Sequence, residues 1–167
     1  MNIVLREWAS TDELPLTSLA NNSKVSDNMR DQFPYPYTLA DARNWISMNE
    51  NKIPANSFAI IADNQFAGGC GFFIKEDVYR CSAEIGYWMG EQFWGKGIAT
   101  EAIGLLLQKI STGFPAIVRV YAEVFEYNKA SMKVLEKNGF YLEAIRKKAV
   151  IKNGRIISDY IWVKLTG

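Results

Sequence analysis

Gln92-Phe93-Trp94-Gly95-Lys96-Gly97-Ile98-Ala99-Thr100-Glu101-Ala102 is the stretch on which the reading of this chain turns. Ahead of it runs Ala83-Glu84-Ile85-Gly86-Tyr87-Trp88-Met89, a strand-like segment, and behind it apolar residues continue at helical spacing. Gly95 and Gly97, one position apart, let backbone N–H groups curl around an anion. The helix start adds further N–H groups and the positive end of its dipole, so the strand–turn–helix reads as a phosphate cradle. Two nucleotide motifs fit it poorly. Gly90 to Lys96 matches the first seven positions of a Walker A loop, but the eighth, which must be Ser or Thr to hold magnesium, is Gly97. A dinucleotide fingerprint lacks its third small residue, because Thr100 stands there.

Outward from the cradle, the chain alternates strand and helix signals. Residues 3–7 read as a first strand. Ser10 with Glu13 reads as a capping box that opens a helix to about residue 22. Asp31-Gln32-Phe33-Pro34-Tyr35-Pro36-Tyr37 is an aromatic loop punctuated by proline, and Thr38 with Asp41 starts a second helix carrying Ala42, Trp45 and Ile46. Residues 58–62 and 66–74 form a hairpin around Asp63-Asn64, followed by a strand over 81–89 and a helix over 98–111. A buried-type strand covers 118–124. Asn128 caps a helix that Gly139 ends in the left-handed conformation, and residues 141–152 and 155–165 close the chain as a hairpin on Asn153-Gly154. The order β-α-α-β-β-β-α-β-α-β-β predicts a mixed α/β sheet with helices on its faces.

Length and composition agree with one domain over residues 1–167: hydrophobic residues make up 49% of the chain, and no linker, repeat or low-complexity tract interrupts it. Nineteen basic against eighteen acidic residues give a net charge of +1, which offers no field for nucleic acid or an anionic membrane. No apolar run approaches a membrane span, and no signal peptide is expected at residues 1–7; the expected location is cytoplasmic. Cys70 and Cys81, both in strand-like segments, read as buried free thiols with no metal-ligand spacing. Histidine is absent, which removes Ser–His and Cys–His pairs and most zinc sites; no metal is expected.

Gln92-x-x-Gly95-x-Gly97 resembles the pyrophosphate-binding motif of the GNAT N-acetyltransferase superfamily. The segments 84–89 and 94–102 are similar to its ribosomal-protein N-terminal acetyltransferase (RimJ/RimL-like) branch. So are Asn128-x-x-Ser131-x-x-Val134-Leu135-Glu136-Lys137-Asn138-Gly139-Phe140 downstream and Pro34-Tyr35-Pro36-Tyr37-Thr38 upstream. The resemblance implies a GNAT-type, mostly antiparallel sheet, splayed at two central parallel strands over 81–89 and 118–124, with acetyl-CoA lying across the gap. It implies that the turn bearing Gln92, Trp94, Gly95, Lys96, Gly97, Ile98, Ala99 and Thr100 holds the pyrophosphate. The Tyr87, Trp88 and Met89 backbone pairs with the pantetheine like an added strand, and Asn128 and Ser131 contact the same arm.

The implied chemistry is direct attack of a neutral amine on the thioester in a ternary complex. An α-amine with a pKa of about 8 needs less help than a lysine amine at about 10.4. Glu84, an acid in an apolar run on the strand that ends at the thioester, is the candidate base, acting through an ordered water. Its alternative is a structural carboxylate paired to a nearby Arg or Lys. A backbone N–H of 87–89 is the oxyanion donor. Many family members carry a Tyr just before the Glu-Lys of the second motif to protonate the thiolate; Leu135 stands here, which leaves Ser131 as the candidate. Glu101, in a first helical turn, serves the helix dipole. Phe33, Tyr35 and Tyr37 are the candidate acceptor-binding aromatics, with Trp45, Phe73 and Tyr79 as further aromatic surface; Asp31, Glu76, Asp77 and Asp159 are acids that could draw a cationic amine. The acceptor implied is a protein N-terminus. A small-molecule amine acceptor, a sensor without turnover and a homodimer through the terminal hairpin are left open.

Overall fold

The computed structural model describes residues 1–166. Its strands are β1 (Ile3–Arg6), β2 (Ser57–Ala62), β3 (Gln65–Ile74), β4 (Ser82–Met89), β5 (Arg119–Phe125), β6 (Tyr141–Lys152) and β7 (Arg155–Leu165). The helices are α1 (Glu13–Ala20), α2 (Ser23–Ser26), α3 (Leu39–Asn49), α4 (Ile98–Gly113) and α5 (Lys129–Lys137). Hydrogen bonding orders one seven-stranded sheet as β1-β2-β3-β4-β5-β7-β6. It is antiparallel except at β4–β5, whose parallel register pairs Ser82 with Arg119, Ala83 with Val120 and Glu84 with Tyr121. Parallel neighbours need a crossover, and α4 supplies it.

The local signals account for most of these elements. Thr38 accepts from the Asp41 N–H at 3.2 Å while Asp41 accepts from the Thr38 N–H at 2.8 Å, so α3 opens on a reciprocal cap. Asn128 caps α5 through the Ser131 N–H, and Gly139 follows the helix at φ +83°. Both hairpin turns are left-handed at their two central residues, Asp63-Asn64 and Asn153-Gly154.

Three expectations are corrected. Ser10 and Glu13 do not form the first cap: Asp12 accepts the Ala9 N–H at 2.9 Å, residues 10–12 make a single 3₁₀ turn, and α1 stops at Ala20. The cause is Arg6, whose guanidinium grips both oxygens of the buried Asp12 at 2.7 and 2.8 Å and fixes that carboxylate at the helix entrance. The short α2 was not expected. Cys81 is exposed and precedes β4; only Cys70 is buried.

The chain forms two compact units. The first comprises Met1–Gly71 and Tyr87–Ala102. Its core gathers Trp8, Leu16, Ala20, Tyr37, Ala42, Ile46 and Ala59, with Phe33, Trp45, Phe66 and Trp88 packed against them. Trp8 meets Trp45 edge-on at 5.9 Å and donates its indole N–H to Ser57 at 2.9 Å, so the ring's one polar atom is satisfied. A Cβ at Gly68 would stand 2.2 Å from the Trp88 carbonyl oxygen; glycine lets β3 pass that close. The second unit comprises Phe72–Gly86 and the chain from Ile103 onward. In it β5 alternates: Val120, Ala122 and Val124 are buried, while Arg119, Tyr121, Glu123 and Phe125 line the opposite, half-buried face.

Candidate active site

In the first unit, β4 ends at Met89 and the chain turns through a 3₁₀ segment, Glu91–Phe93, before α4. The turn is pinned at several points. The Gly90 N–H donates to the Ala67 carbonyl at 2.9 Å, the Trp94 indole donates to the Met89 carbonyl at 2.9 Å, and Phe93 is buried. Glu91 accepts from Asn22 at 2.8 Å and from Lys24, hydrogen bonds that hold its carboxyl below the usual range. Gly95 and Gly97 then sit at φ +72° and +78°, and a Cβ on either would meet nothing within 4 Å. Backbone conformation favours glycine here, and the space beside both residues is open. The Glu101 N–H reaches back to the Gly97 carbonyl at 3.2 Å, so α4 begins directly from the second glycine. By helix geometry its first-turn N–H groups lack an intrahelical acceptor. Lys96 is exposed, its ammonium 5.8 Å from the Phe93 ring centroid. Open backbone N–H groups, a helix N-terminus and a cation suit a pyrophosphate.

The candidate acceptor aromatics belong to this unit and differ in exposure. Phe33 packs on Trp88 at 5.4 Å and on Tyr37 at 5.2 Å. Tyr37 is a core residue, 5% exposed, and burial, with Asp41 nearby, pushes its hydroxyl up to about 12. Tyr35 is exposed. Phe33, half-buried, thus ties the aromatic loop to Trp88, and Tyr35 is the exposed member of the trio.

Glu84, Asn128 and Ser131 belong to the second unit. Glu84 is half-buried on β4 at the last pair of the parallel ladder, beside Tyr121; β4 itself runs five residues further, to Met89. Asn128 takes the Ser131 N–H with its side-chain oxygen at 3.3 Å, so its role as an N-cap is fulfilled. Ser131 is half-buried in the first turn of α5, and Leu135 is wholly buried one turn on.

The acids proposed to attract an amine separate. Asp31, Glu76 and Asp77 are exposed, but Asp159 is a strand residue, 2% exposed, held by both Nε and Nη2 of Arg146. Arg146 also meets Glu123 at 3.0 Å, and the Asp159 hydrogen bonds raise its guanidinium further above its ordinary value. Asp159 is therefore a structural anion. Its sequence signal was its place among alternating apolar residues of β7, where an unpaired charge is not tolerated. Sequence reasoning also missed Lys75 and Tyr121, which stand beside Glu84. Among the described residues no group of His, Cys, Asp or Glu is placed to hold a metal ion, and no helix is long and apolar enough to cross a membrane.

A mostly antiparallel sheet with one central parallel pair, whose crossover helix opens on two left-handed glycines, is the architecture of an acyl-CoA-dependent transferase. The chain belongs to the GNAT acetyltransferase family, whose domain model matches residues 2–141. The uncharacterised N-acetyltransferase p20 of Bacillus licheniformis is 35% identical over 136 residues, 76% of this chain and 74% of that protein. The ribosomal-protein-serine acetyltransferase of Escherichia coli (strain K12) is 30% identical over 99 residues, 59% of this chain and 54% of that one. The microcin self-immunity acetyltransferase MccE, solved with acetyl-CoA and AMP, shares the fold at a TM-score of 0.83 and 29% identity, covering 98% of this chain and 92% of its own.

Proposed function

We propose that this protein transfers the acetyl group of acetyl-CoA to the α-amine of a protein or peptide N-terminus, without a covalent enzyme intermediate. The observation that carries the reading is the pair of left-handed glycines, 95 and 97, opening α4 beside unfilled space. The turn from Gln92 to Thr100 holds the pyrophosphate by backbone N–H groups and Lys96. The backbone from Tyr87 to Met89 offers strand-type pairing to the pantetheine; the Met89 carbonyl is taken by Trp94, so that pairing uses the other groups. Because the Asn128 oxygen is engaged as a cap, its amide nitrogen is the atom left to donate to the pantetheine.

Bound acetyl-CoA supplies an activated acyl group. The amine nitrogen forms the new bond to the carbonyl carbon as the carbon–sulfur bond breaks. Glu84 takes the proton the amine loses, through a water, and the Ser131 hydroxyl donates a hydrogen bond to the departing sulfur, which leaves as the thiolate; solvent then protonates it to coenzyme A thiol as Glu84 returns its proton to water. The likeness to the ribosomal-protein-serine acetyltransferase of Escherichia coli and the Pro34–Thr38 segment support a protein N-terminus as acceptor, in the RimJ/RimL-like branch. The likeness to MccE favours a second reading, a small-molecule amine acceptor. Two cysteines without a disulfide support a cytoplasmic location.

Calorimetric titration with acetyl-CoA, followed by thiol release on peptide N-termini and on small amines, tests both readings. Binding with release on peptides supports the first, and release on small amines alone selects the second. Glu84→Gln should cut turnover by roughly a hundredfold or more while acetyl-CoA affinity stays near normal. Wild-type turnover would return Glu84 to a structural role, and no binding would remove the cradle assignment.

A further inference from the structure

Lys75 stands just past the end of β3. Its N–H donates to the Ser82 carbonyl at 2.9 Å, which sets residue 75 opposite 82 and, one step on, Phe73 opposite Glu84. Residues 73, 75, 82 and 84 therefore share one face of the sheet. Across the parallel pair, Ser82 neighbours Arg119 and Glu84 neighbours Tyr121, so the same face continues through Arg119, Tyr121 and Glu123. Lys75 hydrogen-bonds Tyr121 and lies within electrostatic reach of Glu84 and Glu123. To join β3 to β5 its arm must cross β4 over Ser82, one of the smallest side chains that could stand there.

The chemistry of the contact fixes its direction. An ammonium only donates, whereas a phenol has one O–H and two lone pairs. Tyr121 therefore accepts from Lys75, and its own O–H is turned toward a different acceptor. The ring is held as well: the Arg119 guanidinium lies 5.7 Å from its centroid and is itself gripped by Glu143 at 2.7 and 2.6 Å. The charged and titratable groups that share this face with Lys75 and Glu84 are Arg119, Tyr121 and Glu123 from β5, with Glu143 of β6 held on Arg119, Arg146 of β6 on Glu123, and Asp159 of β7 on Arg146.

We propose that Lys75 is a positioning residue that hydrogen-bonds Tyr121 of β5 and so fixes the direction of the Tyr121 O–H beside Glu84 of β4, where the parallel ladder ends. The inference rests on the assignment of Glu84 as the base. Nothing in the family motifs points to Lys75, which lies outside them. The Tyr121 hydrogen bond, with the Glu84 charge adding to it, raises the Lys75 ammonium above the ordinary lysine value. A lysine held as an ammonium is not a nucleophile, so it can stand near an acyl donor without being acylated.

Two measurements test this on the full chain. In lysine ¹⁵N-labelled protein, the Lys75 ammonium should give an exchange-protected signal, identified by its loss in Lys75→Met and exchanging several-fold faster in Tyr121→Phe. With acetyl-CoA and a serine-initiated hexapeptide, Lys75→Met should lower kcat roughly tenfold with acetyl-CoA affinity unchanged, and Lys75→Arg should restore most of it. An unprotected Lys75 signal, or wild-type kcat in Lys75→Met, overturns the proposal. Wild-type kcat in Glu84→Gln together with a Lys75→Met loss that arginine rescues would remove the base assignment and leave the tie to Tyr121 standing.

Discussion

Gly97 can be replaced without a clash in the protein itself, and that makes it a clean probe. A Cβ there meets no atom within 4 Å, but the residue sits at φ +78°, where an alanine costs about 1 kcal/mol. The same Cβ would occupy the space from which an anion approaches the N–H groups. Gly97→Ala should therefore lower thermal stability slightly and acetyl-CoA affinity at least about tenfold, an imbalance that calorimetry and a melting curve measure together. Tyr37 offers a second residue-level test. Its hydroxyl is raised from 10.0 to about 12, chiefly by burial. A group whose folded value is raised keeps its proton longer in the native state. Its contribution is complete below pH 10 and is lost as pH rises toward 12. Tyr37→Phe should escape that loss, which approaches roughly 2 kcal/mol by pH 12; urea midpoints at pH 9.5 and 11.5 for both proteins measure it. Both residues were visible in the sequence, but only Gly97 was legible: a glycine in a turn names its conformation, whereas nothing local distinguishes a core tyrosine from one in an acceptor groove.

Elements were legible where a cap or turn residue acts on its own neighbours. Thr38–Asp41, Asn128, Gly139 and the two hairpin turns depend on contacts within four residues, and those boundaries fall where expected. The first helix failed because its entrance is set from β1: Arg6 claims Asp12, and no local pattern weighs that against Ser10 and Glu13. Asp159 was misread for the same reason, since its partner Arg146 lies thirteen residues away on the neighbouring strand. That pair, with Glu123, joins β5, β6 and β7 on one face. Arg146→Met should leave a buried carboxylate uncompensated and cost about 2–3 kcal/mol, below the cost for a wholly buried pair because the arginine is half exposed. The double variant Arg146→Met/Asp159→Asn should recover part of that loss in denaturant titrations; a double variant no better than the single would mean Asp159 is held by other partners.

The two compact units are not separable lengths of chain. β3 passes from the first to the second after Gly71, β4 returns from the second to the first after Gly86, and α4 crosses again after Ala102, each without a break in the element. Unfolding either unit alone would cut three elements in mid-course and strip their hydrogen bonds at the cut, so the chain should unfold as one cooperative body, as a single domain does. The residues provide the reporters. Trp8, Trp45, Trp88 and Trp94 lie in the first unit and Trp162 in the second, so in a Trp162→Phe background tryptophan emission reports the first unit; the exposed Cys81 in the second accepts a thiol-reactive fluorophore while Cys70 stays buried. Tryptophan emission and the Cys81 label should give coincident midpoints in urea. Acetyl-CoA, bound to the cradle of the first unit, should raise both together, by about 2.7 kcal/mol at a hundred times its Kd. A label midpoint that separates from the tryptophan midpoint, or that acetyl-CoA leaves in place, would show two independently unfolding bodies and end the single-domain reading.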